Sequence, residues 1–127
     1  MGGPVRAFIE GSPQLSTTTP AQTGITDTAA QILGLDPKRK GMIIQNTGTT
    51  VLKFVLGTAT PTQTVYHIAL GACTGADDGL GGTYFESSWV GAVQAISSAA
   101  GGTCVITVFR TGSPNWNLAG DVGTAML

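Results

Sequence analysis

Charge is what this chain has least of. Only 10% of its 127 residues are Asp, Glu, Lys or Arg, against roughly a quarter in ordinary soluble domains. With a formal net charge of −1 it offers no basic field for phosphates, which sets nucleic acid aside as a main partner. Histidine occurs once, as His67. A nucleophile–base pair would need it together with a serine or Cys73, and none of these sits in a recognisable elbow or signature. Two cysteines, Cys73 and Cys104, are too few for a disulfide framework and lack metal-ligand spacing; a single bridge between them stays open. No apolar run approaches the ~18 residues of a membrane span, and Met1-Gly2-Gly3-Pro4 opens no signal sequence. Arg6 stands where a myristoylation motif needs Ser or Thr. The expectation is a soluble protein without cofactor, metal or catalysis.

What the chain does have is glycine, 19 residues of it, and 42% hydrophobic content, enough for one core in one domain. Asp36-Pro37 breaks whatever precedes it, and Lys38-Arg39-Lys40-Gly41 completes a turn. Two short apolar runs follow, Met42 to Asn46 and Val51 to Leu56. The Thr47 to Thr50 link between them has the length of a hairpin loop with Gly48 at positive φ. In the second run Leu52, Phe54 and Leu56 share one face and Lys53 points the other way, the period of a half-buried strand.

Further strands are expected at Thr26–Leu35, Thr64–Leu70, Thr83–Ser87, Ala92–Ser97 and Thr103–Arg110. The last alternates Cys104, Ile106 and Val108 with Val105, Thr107 and Phe109, which suits a central strand covered on both faces. Turn residues separate nearly all of these segments and no crossover helix is present. The fold class is therefore all-β: an antiparallel β-sandwich or small jelly-roll-like barrel of seven or eight strands. The body spans 25–110, an extended N-terminal arm 1–24, and a C-terminal arm 111–127. Val5, Phe8 and Ile9 would be left wet unless the first arm docks as a strand on its own or a neighbour's sheet. Trp116, Leu118, Met126 and Leu127 make the second arm an apolar tail suited to another subunit.

Candidate chemistry is thin. Asp77, Asp78 and Glu86 supply oxygen ligands without the spacing of calcium loops. Lys38, Arg39 and Lys40 read first as a solvated turn and second as a contact for an acidic partner surface. Trp89 reads as a plug at one end of the sandwich, or with Tyr84 and the 71–82 loop as a sugar platform.

The succession Arg39-Lys40-Gly41-Met42-Ile43-Ile44-Gln45-Asn46, the run Val51 to Gly57, the run Trp89 to Ser97 and a closing valine-rich strand resemble small β-sandwich virion proteins of tailed bacteriophages. The likeness covers about Lys38 to Arg110; the 71–82 loop and both arms lie outside the pattern. It implies a head decoration (cement) protein, a homotrimer bound to the major capsid protein on the virion surface after synthesis in the host cytoplasm. Its arms, with Lys38, Arg39 and Lys40, would make the capsid or subunit contacts. A neck or tail connector, or a module binding a host glycan, is the alternative.

Overall fold

A computed structural model describes residues 15–111, which form nine strands: β1 (Leu15–Thr17), β2 (Ala21–Ile25), β3 (Ala30–Leu33), β4 (Arg39–Asn46), β5 (Leu52–Leu56), β6 (Ile68–Leu70), β7 (Thr83–Glu86), β8 (Val93–Ser97) and β9 (Gly102–Thr111). They make two antiparallel sheets packed as a β-sandwich and not closed into a barrel. The front sheet runs β1/β2, β9, β4, β7, with β1 and β2 end to end along one side of β9. The back sheet runs β3, β8, β5, β6. Residues 15–24, the inner end of the expected N-terminal arm, are thus extended and laid on the chain's own β9.

Period-two patterning builds the core. Met42 and Ile44 on β4, with Cys104, Ile106 and Val108 on β9, face Leu52 and Phe54 on β5 and Val93 and Ala95 on β8. Fully burying side chains of this size is worth roughly 1.5–3 kcal/mol each, so the interleaved layer is the main source of stability. Asn46 is buried among them. Its amide donates to Thr50 O and Leu70 O, and its Oδ1 accepts from Gly48 N, so its polar atoms are paired.

The hairpin expected from Met42 to Leu56 does not form. β4 pairs with β7 and β9 in the front sheet, whereas β5 pairs with β6 and β8 in the back sheet. The link is a crossing between layers: Thr47 N donates to Thr103 O on the front side, and Val51 and Ser98 exchange bonds on the back. Gly48 serves close approach and not a positive φ, since a Cβ there would lie 2.9 Å from Thr103 Oγ1 and 3.1 Å from its nitrogen. All connections except β1–β2 and β5–β6 cross between the sheets in this way.

Two other strands are shorter than their patterns predict. Only Ala30–Leu33 of 26–35 is strand, and it is bulged. Only Ile68–Leu70 of 64–70 is strand, because Thr62 Oγ1 accepts from Val65 N and Thr64 N and curls the preceding residues into a turn. Among the described residues no helix is long and apolar enough to cross a membrane.

Candidate assembly surface

Each sheet has an outer face, and the two differ. Behind the back sheet, residues 57–67 fold over β5 and β8. Gln63 Nε2 donates to Ser97 O at 2.8 Å, Lys53 Nζ bonds to Gln63, and Gln94 Nε2 reaches Gly57 O. Lys53 Nζ also stands 5.3 Å from the centre of the Tyr66 ring, a cation–π contact. His67 closes the roof: its backbone N donates to Phe54 O and its Nδ1 accepts the Leu56 N–H at 3.0 Å. Pro61 is fully buried, and Val55 and Ile96, which point away from the core, are only 4% and 7% exposed. The single histidine is a structural acceptor, unsuited in this arrangement to act as a base at Nδ1.

The front sheet has no such roof among the described residues. Its outward positions run across the strands in register: Thr17, Phe109 and Gly41; then Thr107, Ile43 and Phe85; then Gln22, Val105, Gln45 and Thr83. Not one of these paired positions carries a charge. Phe85 is 60% exposed, and its ring meets Phe109 edge-on at 6.4 Å with the planes 76° apart. Gly41 lies beside it: a Cβ there would come a tight 3.1 Å from Glu86 O and meet the Phe109 ring at 3.6 Å, an ordinary contact. β9 is central, as the sequence predicts, but only its inner face is fully covered.

Beside this face a turn is pinned by one carboxylate. Glu86 accepts the Tyr84 hydroxyl at 2.7 Å, the backbone N–H and hydroxyl of Ser88, and the Trp89 N–H. The Tyr84 bond, followed by those from Ser88, pulls the Glu86 carboxyl down to about 2. Burial first, and Glu86 second, pushes Tyr84 up to about 12. Trp89 packs half-buried against the core with its indole N–H on Ala92 O, the plug the sequence suggests. Trp89 and Tyr84 both pack partly buried against the core, with the indole N–H and the Tyr84 hydroxyl bonded within the chain.

The basic triplet needs correcting. Lys38 and Lys40 are exposed, but Arg39 is only 2% exposed. The register of β4 against β9 slips between Arg39 and Gly41, and such a bulge re-aims a side chain. Arg39 turns inward and donates to Gly34 O at 2.7 Å, Gly91 O at 2.9 Å and Trp89 O at 3.3 Å, while its Nε has no partner. It ties the β3–β4 crossing to the 89–91 loop and is no partner contact. Asp36 beyond it pairs with Arg110 at 2.8 Å, which holds its carboxyl below the usual range. An open groove of about 470 Å³ runs alongside, lined by Thr18, Leu33, Leu35 and Val108 as well as these ions.

Asp78 is similarly committed, to Gly75 N and Leu80 N. Among the described residues no three His, Cys, Asp or Glu gather as a metal site. Both cysteines are buried and free, so the open question of a bridge is answered against it. Val5, Phe8, Ile9, Trp116, Leu118, Met126 and Leu127 lie outside the described residues. Sequence reasoning missed the Ile43, Phe85, Val105 and Phe109 face, although the uncharged alternation of β9 was there to signal it.

No family model matches the sequence, and no curated protein does. Among solved structures the chain is similar to one from work describing Bacillus endospore appendages as a novel family of disulfide-linked pili. The identity is 18%, over 82% of this chain and 94% of that one, with a TM-score of 0.47.

Proposed function

We propose that this protein is a non-enzymatic structural subunit that works by associating with copies of itself. The capsid-decoration reading, with its connector and glycan-module alternatives, is corrected: the similar solved structure is a bacterial endospore appendage and not a phage protein. The capsid partner, the trimer and the virion location rested on the phage resemblance alone. The observation that supports self-association is the front face, whose paired positions carry no charge and where Phe85 stands 60% exposed against a half-buried Phe109. Its matching face on the back sheet is roofed by the chain itself. Monomeric soluble proteins rarely leave such patches uncovered without an interaction to serve.

Association would be non-covalent. Disulfide linkage belongs to the endospore pili; here both thiols are buried, and burial pushes Cys104 up to about 11, far from the thiolate that exchange requires. Sedimentation equilibrium of the full chain over a wide concentration range tests the reading. Reversible, reductant-insensitive association is expected, and a protein that stays monomeric at every concentration would refute it.

A further inference from the structure

The subunit has two kinds of surface on which copies could meet: sheet edges and the open front face. The edges are blunt. β1 and β6 have three residues each, β3 and β7 have four, β3 is bulged, and β1 breaks from β2 at Thr18–Pro20. Short, broken or bulged strands are how sheet proteins discourage edge-to-edge growth. The central strands, with eight residues in β4 and ten in β9, spread the largest continuous surface across the front sheet instead.

We infer that the front face packs against the front face of a second copy, in a closed two-fold pair built around Ile43, Phe85, Thr107 and Phe109. This deepens the proposed function and rests on it. The absence of charge at these paired positions makes the patch compatible with itself, since none of them brings a like charge to the axis or is stripped of water as an ion; the exposed Lys40, next to Gly41 in β4, is left unpaired by the bulge. A charged partner would leave its own ions unanswered there. Threonine and glutamine rows beside the aromatics can hydrogen-bond to their own copies at the rim.

The size fits a weak, reversible contact. Outward alternation gives β9 five sites, β4 three, β7 two and β1 with β2 four; at about 6.8 Å by 4.8 Å each they make roughly 450 Å² of face. Two such faces bury about 900 Å², below the standard size of permanent interfaces. An isologous contact uses up the face, so association stops at two.

The test is sedimentation equilibrium of the full chain carrying Phe85→Lys and Val105→Lys together, beside Val65→Lys on the back-sheet roof. The double variant should dissociate at least ~100-fold more readily, because lysines at a hot spot enter the contact without partners. Val65→Lys should associate like wild type. A second readout does not depend on tolerating buried lysines. Thr107→Cys, treated with a bis-maleimide spanning about 10 Å, the face-to-face spacing of stacked sheets, should yield a covalent dimer and nothing larger. Val65→Cys should yield none.

If wild type associates but the folded double variant associates equally well, or Thr107→Cys gives no cross-link, the front-face contact is wrong while self-association stands. If wild type never associates, both fail.

Discussion

The two outer faces of this sandwich meet water in opposite ways, though both come from the same alternating strands. Behind the back sheet the chain covers Val55 and Ile96 with its own 57–67 segment, fastened by Gln63, Lys53 and His67. In front, among the described residues, no segment covers Phe85 or the half-buried Ile43, Val105 and Phe109. An outward apolar residue is therefore not one thing in this protein. Under the roof it contributes to folding; on the front face its apolar area is left for a partner.

The sharpest break of that comparison is one substitution made on each side. Ile96→Asp buries a carboxylate beneath the roof and should cost about 3 kcal/mol or more, or prevent folding. Val105→Asp should cost under about 1 kcal/mol while weakening association. Urea denaturation of the two variants at low protein concentration measures the difference, and equal losses would erase the distinction between the faces.

Next in size is the Glu86 turn at the rim of the front face. Its carboxyl is depressed to about 2, so its contribution is complete above the ordinary unfolded value near 4.3 and is lost as the pH falls through about 2. Glu86→Gln should lower the melting temperature at pH 6, and the gap to wild type should close by about pH 2. A gap that persists unchanged in acid would show that the carboxylate charge is not what pins the turn.

A smaller effect is expected from Gln63→Ala, which cuts the roof's bond to Ser97 O. It should cost about 1 kcal/mol, and proteolytic nicking should rise in 57–67 without change in the front sheet. The smallest is expected from His67→Phe, which removes the Nδ1 acceptor that Leu56 N–H uses. Amide exchange at Leu56 should quicken about five-fold while exchange in the front sheet stays the same, and an unaltered rate at Leu56 would show that this bond does not hold the roof.

Much of this was legible from residues alone. Period-two alternation identified β5 with its core-facing Leu52 and Phe54, and apolar runs located β4, β8 and β9, though the cover expected on both faces of β9 is complete only on the inner one. Arg39 was not legible. Its inward turn depends on a one-residue slip against β9, and nothing in Lys38-Arg39-Lys40 marks which of three cations a bulge will bury.

By itself the sequence determined that this chain is all-β, that its strands have a core side, and where its turns fall, because side-chain alternation and backbone preferences act over a few neighbouring residues. Only the tertiary structure decided which sheet each strand joins, and hence that β4 and β5 part company across Gly48. It also decided which outer face the chain covers for itself. Those outcomes depend on contacts such as Thr47 with Thr103 and Gln63 with Ser97, made between residues far apart in the chain, and no local pattern encodes the partner.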